Sequence, residues 1–129
     1  MARPPARELT ERELEVMHVF WKRDRLTVAQ VREALAEAGL DRAYTTIATL
    51  VRILTDKAFL VQTNQERPFA YRPARSYEEV SRKLLGELID RVFRGSRELL
   101  LVRLMEQNAL TAKERAVLSD VLRQTEKRR

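Results

Sequence analysis

The segment Tyr44-Thr45-Thr46-Ile47-Ala48-Thr49-Leu50-Val51-Arg52-Ile53-Leu54-Thr55-Asp56-Lys57 carries two rows of side chains at helical spacing. Ile47, Leu50, Val51, Leu54 and Ala58 fall at i, i+3, i+4, i+7 and i+11, an apolar stripe expected to pack inward. Thr45, Ala48, Thr49 and Arg52 fall at i, i+3, i+4 and i+7 on another side. That second row is short and polar and ends on a guanidinium. No member is bulky enough to keep the helix out of a groove. What such a helix does depends on its flanks.

Upstream, two helix starts are legible as capping boxes, in which a Ser or Thr and a Glu or Gln three residues later satisfy each other's backbone N–H. Thr10/Glu13 opens a helix over about Glu11–Arg23, with Leu14, Met17, Phe20 and Trp21 on its apolar side. Thr27/Gln30 opens one over Val28 to about Ala38, with Val28, Val31, Ala34 and Leu35 inward, and Gly39 ends it because glycine tolerates the left-handed conformation. Downstream, Phe59-Leu60-Val61-Gln62-Thr63 and Phe69-Ala70-Tyr71-Arg72 are short β-branched or aromatic runs around the polar turn Asn64-Gln65-Glu66-Arg67-Pro68. They predict a β-hairpin, with Pro68 tolerated at the turn or strand start.

Beyond Pro73 the pattern returns to helix, with boxes at Ser76/Glu79 and Thr111/Glu114. Three helices are expected, over about Tyr77–Phe93, Arg97–Glu106 and Ala112–Thr125. Only three Gly and four Pro in a chain that is 34% charged fit this mainly helical content. Three helices followed by a hairpin is the winged helix-turn-helix arrangement. The expected organisation is therefore mainly α. A disordered arm spans residues 1–7, a winged helix-turn-helix DNA-binding domain residues 8–74, a three-helix dimerisation region residues 75–126 and a basic tail residues 127–129.

In that arrangement the third helix enters the major groove, and the outer row becomes a candidate reading face. Thr and Arg hydrogen-bond to base edges, and Ala48 or a Thr methyl can touch a thymine methyl. Thr46 lies in the first turn, where N–H groups and the helix dipole favour phosphate. Tyr44 can donate its hydroxyl to phosphate, and Arg42 precedes the helix as a backbone contact. Arg67 at the hairpin tip can reach a flanking phosphate or the minor groove.

Residues 8–73 resemble the penicillinase-repressor family (BlaI/MecI type). The matching stretches are Leu9-Thr10-Glu11-Arg12-Glu13-Leu14-Glu15-Val16-Met17 with Trp21, then Thr27-Val28, and above all Ala43-Tyr44-Thr45-Thr46-Ile47-Ala48-Thr49-Leu50-Val51-Arg52-Ile53-Leu54. Lys57-Ala58-Phe59-Leu60 stands where the family usually has Lys-Gly, so the end of the third helix is expected to differ slightly. Phe69-Ala70-Tyr71-Arg72-Pro73 closes the match, which continues more loosely through the last three helices.

The resemblance implies a winged-helix repressor acting as a homodimer on an inverted-repeat DNA operator, often with TACA/TGTA half-sites. It places Thr45, Thr46, Thr49 and Arg52 on the DNA-contacting helix. It also implies a membrane sensor protease as a partner, since penicillinase-type members are inactivated by a cut between Asn and Phe in the C-terminal region. The corresponding region here, Arg103-Leu104, lacks that pair. Copper-responsive relatives carry Cys-x-Cys, and this chain has no cysteine.

The C-terminal helices carry a large apolar load for about 55 residues: Leu84, Leu85, Leu88, Ile89 and Val92, then Leu100, Leu101 and Leu104, then Val117 and Val121. So small a segment buries little of its own surface. Two chains sharing these helices as one core is the expected solution; folding back onto the N-terminal domain is the alternative.

The net charge of +6 and pI of about 10.2 favour a polyanionic partner. Residues 1–75 carry 13 basic and 10 acidic side chains, a modest excess that leaves two other readings open. One is a winged-helix protein-interaction module and the other an architectural nucleic-acid binder without operator specificity. No apolar run approaches membrane-spanning length and no signal peptide is evident, so a cytoplasmic protein without membrane insertion is expected. No phosphate-binding loop, dinucleotide fingerprint or metalloprotease motif occurs, and no cofactor, metal or enzymatic activity is expected. His18, beside the first apolar stripe, reads as structural, and Glu11, Glu13 and Glu15 read as helix capping and solvation.

Overall fold

The computed structural model describes residues 8–127; the arm expected over residues 1–7 and the last two residues of the basic tail lie outside them. The chain forms two compact units, the first ending at Ser81 and the second starting at Arg82.

In the first unit, α1 (Glu11–Arg23), β1 (Leu26–Thr27), α2 (Val28–Glu37) and α3 (Tyr44–Asp56) precede β2 (Leu60–Gln62) and β3 (Ala70–Pro73), and the first turn of α4 (Tyr77–Arg91) completes it. The capping boxes of α1 and α2 form in full. Thr10 Oγ1 accepts from the Glu13 N–H at 3.2 Å and Glu13 Oε1 from the Thr10 N–H at 3.0 Å. Thr27 and Gln30 exchange the same bonds at 3.3 and 2.8 Å. The observed helix bounds fall within one residue of the sequence reading for α1, α2 and α3.

The hairpin gains a strand that the sequence reading lacks. β3 pairs antiparallel with β2 on one side and with β1 on the other, in the order β1-β3-β2. β1 is only two residues long, too short to show a period of its own, and it exists because Leu26 faces Tyr71 and Thr27 faces Ala70. Thr27 thus serves both as a strand residue and as the cap of α2. Asn64 shapes the turn: its Nδ2 donates to the carbonyls of Glu66 and Pro68, both at 3.1 Å, and its Oδ1 accepts from the Ala70 N–H at 2.8 Å.

The core is built from Val16, Met17 and Phe20 of α1, Val31 and Leu35 of α2, Ile47, Val51 and Leu54 of α3, and Leu26, Phe59, Leu60, Ala70 and Val80. Two expected stripes are corrected. On α1 the inward row is Val16, Met17 and Phe20, while Leu14 and Trp21 are half-buried. On α3 the row ends at Leu54: Ala58 lies past the helix and is exposed, and Phe59 and Leu60 continue the core instead.

The cause is the way α3 stops. The Ala58 N–H donates to the Thr55 carbonyl at 3.0 Å and the Phe59 N–H to the Leu54 carbonyl at 2.9 Å. This pair of bonds defines a Schellman end, which needs a left-handed residue between helix and strand. Ala58 takes that conformation, at φ 66°. α2 ends in the same pattern, with Gly39 at φ 85°. The two ends therefore solve one geometric problem with different residues, and only Ala58 carries a Cβ against it.

In the second unit the rest of α4 is followed by α5 (Arg97–Gln107) and α6 (Ala112–Lys127). Ser96 Oγ caps α5 by accepting from the Leu99 N–H at 3.0 Å, and Thr111 and Glu114 form the box that starts α6. No residue of α5 or α6 is buried.

A left-handed alanine costs about 1–2 kcal/mol, part of which a glycine gives back through greater freedom of the unfolded chain. Ala58→Gly is therefore expected to stabilise the protein by about 0.5–1 kcal/mol in urea denaturation. An unchanged or lowered midpoint would contradict the strained end assigned to α3.

Candidate nucleic-acid interface

α3 divides cleanly into two faces. Ile47, Val51 and Leu54 are 0, 1 and 0% exposed, whereas Thr45, Thr46, Thr49 and Arg52 are exposed and Ala48 and Leu50 half-buried. Thr49 spends its hydroxyl hydrogen on the Thr45 carbonyl at 3.0 Å. With that bond made, its oxygen is left to accept, which suits an adenine or cytosine amino group, and its methyl suits thymine. Among the described residues no ion pair holds the Arg52 guanidinium.

The start of α3 differs from those of α1 and α2. Ala43 is its N-cap and supplies no side-chain hydrogen bond, and no acid lies in its first turn. The N–H groups around Tyr44, Thr45 and Thr46 are thus uncapped by any side chain, the condition in which a helix start favours an anion.

Tyr44, Ala48 and Arg67 are brought together on one open cleft of about 490 Å³ between α3, the start of α2 and the hairpin. Val28, Phe69 and Tyr71 form part of its walls, with Thr27, Ala29 and Pro68. Arg67 is exposed at the hairpin tip with its guanidinium 5.6 Å from the centre of the Phe69 ring. Val28, Phe69 and Tyr71 escaped sequence reasoning as wall residues because β1 and the hairpin register set their position, and neither has a local signature. The hairpin is also tied to the α1–α2 link, by Arg25 Nε to Thr63 Oγ1 at 3.0 Å and by an exposed Arg72–Asp24 pair at 3.3 Å.

Arg42 is placed differently from the other expected contacts. Its Nε and Nη2 grip both oxygens of Glu15 at 3.1 and 3.0 Å, and it is 22% exposed. This fork joins the residue just before α3 to α1. At the other end of α3, Lys57 Nζ donates to Glu13 Oε1 and Oε2 at 2.8 and 3.1 Å and to the Glu8 carbonyl at 2.9 Å. The Lys57 and Glu13 side chains are 7% and 4% exposed. Glu13 caps α1 as expected, but neither it nor Glu15 is a merely solvated acid: they are the partners that hold α3 from both ends. His18 is exposed and packs its ring edge-on to Trp21 at 5.4 Å.

The apolar residues expected to dimerise stand on the second unit largely uncovered. Val92, Leu101, Val117, Leu104, Val121, Leu85 and Leu88 range from 63% down to 42% exposed, and Leu84, Ile89 and Leu100 are half-buried. Val102, Met105, Leu118 and Leu122, which the sequence reading did not single out as contacts, are 45–54% exposed. Arg103 and Leu104 lie inside α5, with Arg103 paired to Glu106 at 3.1 Å. Among the described residues no group of three or more His, Cys, Asp or Glu able to hold a metal occurs, and no helix is long and apolar enough to cross a membrane.

Three helices, a small three-stranded sheet and an exposed third helix beside the hairpin define a winged helix-turn-helix protein. The family model described as penicillinase repressor matches residues 9–124, and the chain belongs to that family of winged-helix transcriptional repressors. The transcriptional regulator BlaI of Mycobacterium tuberculosis, in strains CDC 1551 / Oshkosh and ATCC 25618 / H37Rv, is 34% identical over 104 residues, or 77% of this chain and 72% of that protein. The solution structure of the DNA binding domain of the repressor BlaI aligns at 28% identity with a TM-score of 0.49, covering 61% of this chain and 93% of that one.

Removing one member of a buried, hydrogen-bonded ion pair leaves the other charge without compensation. Lys57→Met is expected to cost about 3 kcal/mol in urea denaturation, because it strands Glu13 in the core. A loss below 1 kcal/mol would mean that Glu13 does not depend on Lys57.

Proposed function

We propose that the protein is a sequence-specific repressor that binds an inverted-repeat operator in double-stranded DNA as a homodimer. The observation that carries this reading is the outer face of α3, with Thr45, Thr49 and Arg52 exposed beside the hairpin cleft while Ile47, Val51 and Leu54 are buried on the other side. Arg52 supplies a donor fork for a guanine edge, Thr49 an acceptor, and Ala48 a small apolar surface. Tyr44, Thr46 and Arg67 meet the sugar-phosphate backbone and fix register without reading sequence. Arg42 takes part through Glu15, by holding the start of α3.

The homodimer rests on the second unit. No residue of α5 or α6 is buried within one chain, although they carry Leu101, Leu104, Val117 and Val121. Burial of such side chains is worth about 1.5–3 kcal/mol each, so a matching copy is a strong attractor for them. A two-fold protein then presents two copies of α3 to two half-sites. A cytoplasmic location, shared with the DNA it binds, is part of the same proposal. If a membrane sensor protease releases the repressor, a cut at Arg103-Leu104 requires α5 to unwind locally, since the bond lies within the helix.

Selection of bound duplexes from a random pool tests the reading. It is expected to return an inverted repeat, and Arg52→Ala is expected to lose about 1–3 kcal/mol of binding to it, with relaxed preference at one position per half-site. Equal recovery of all sequences would favour an architectural binder. No salt-sensitive duplex binding at all would favour a protein-interaction module.

A further inference from the structure

The cleft beside α3 has a lining that the duplex reading uses only in part. Tyr44, Ala48 and Arg67 are assigned to DNA, but Val28, Pro68, Phe69 and Tyr71 line the same space of about 490 Å³. Small-molecule sites have volumes of about 300–1,000 Å³ and are mostly apolar with a few polar groups that orient the guest. This lining fits that description, since it combines three aromatic rings and a proline with one cation, Arg67, and no acid. The ring pairs formed among the described residues are those of His18, Trp21 and Tyr77, so none of the three cleft rings packs against another ring.

The polar groups of the cleft are also uncommitted. Among the described residues Arg67 forms no ion pair, and its guanidinium rests 5.6 Å from the centre of the Phe69 ring. Neither the Tyr44 nor the Tyr71 hydroxyl is hydrogen-bonded to another described residue. A planar donor fork beside a ring matches a carboxylate carried on a flat apolar body. The fork can give the carboxylate two parallel hydrogen bonds, and the body can pack offset or edge-on to the rings. A bare phosphate would lose its hydration against the apolar walls with only one cation to replace it.

We propose that the cleft binds a small aromatic carboxylate and that this ligand releases the protein from DNA. The release rests on the repressor reading above, whereas the binding does not. Ala48 belongs to the reading face and Arg67 to the backbone contacts, so a guest lodged between them and a duplex exclude each other. A ligand that binds only the free protein weakens duplex binding by a factor of one plus the ratio of its concentration to its dissociation constant. Such a release needs neither the Asn-Phe cut site, which the Arg103-Leu104 region lacks, nor a thiol, since the chain has no cysteine.

The test uses the full chain and naphthoate as the probe, first by NMR titration without DNA. Naphthoate, with about 13 non-hydrogen atoms, is expected to bind with a dissociation constant of about 1 mM or tighter. The uncharged alcohol of the same ring, and hexanoate, which has the charge without the ring, are expected to bind at least about tenfold more weakly. Arg67→Ala, at an exposed position, is expected to lose about tenfold for naphthoate, and Phe69→Leu, which keeps an apolar wall without a ring, to lose affinity in the same direction. Arg52→Ala, whose side chain lies outside the lining, is expected to bind naphthoate like wild type. In the second arm, naphthoate at about ten times its dissociation constant is expected to weaken binding of a selected duplex about tenfold or more. Equal binding of the neutral alcohol, or undiminished binding by Arg67→Ala, would overturn the site, and so would the absence of naphthoate binding. Binding without loss of duplex affinity would overturn the release. A pool that returns no preferred duplex would remove the repressor reading and the release with it, while the titration without DNA still decides the site.

Discussion

The buried pair between Lys57 and Glu13 is the contact on which the placement of α3 depends. It joins the end of α3 to the first turn of α1, across 44 residues of sequence, with both side chains more than nine-tenths buried. Glu13 cannot be separated from the start of α1, because the same carboxylate accepts from the Thr10 N–H. Lys57 cannot be separated from the end of α3, where the chain turns through Ala58 into β2. At the other end, Arg42 and Glu15 repeat the device with a half-buried fork. Two acids two residues apart on α1 thus hold both ends of the helix that faces outward. Burying charges in this way is a poor means of adding net stability, but it penalises alternative placements steeply, since each would leave a charge unpaired.

That constraint separates the work of the two faces of α3. Ile47, Val51 and Leu54 are spent entirely on the core and can read nothing. Thr45, Thr49 and Arg52 of the outer row stay exposed, which is the division expected when a rigid scaffold presents a recognition surface. The small sheet serves the same end, since β1 ties the hairpin to the start of α2 and so fixes the walls of the cleft beside Tyr44 and Ala48. The second unit stands in contrast: α5 and α6 are capped, yet no residue of either is buried within one chain.

Local features of this architecture were readable in the sequence, and features made by distant residues were not. The capping boxes are complete within four residues, so Thr10/Glu13 and Thr27/Gln30 announce α1 and α2 to within a residue. The outer row of α3 follows from periodicity alone. β1 was invisible because two residues show no period and pairing with β3 creates it. Ala58 was misplaced onto the inner stripe because helical spacing can be counted past a helix end, and only the Schellman bonds reveal the stop; the glycine usual at this position in the family pointed the right way. The ion-pairing roles of Glu13 and Glu15 have no local signal because their partners, Lys57 and Arg42, lie 44 and 27 residues away. Trp21 was read as part of an inward stripe, whereas its indole Nε1 donates to the Arg75 carbonyl ahead of α4.

In the proposed function, two copies of α3 lie in the major groove of one duplex. Methylation footprinting of the full chain on a selected duplex tests it most directly, because guanine N7 lies in the major groove. Two protected patches are expected, related by the two-fold axis of the site and centred about one helical turn, or a whole number of turns, apart. A single protected patch, or protection confined to minor-groove positions, would contradict it.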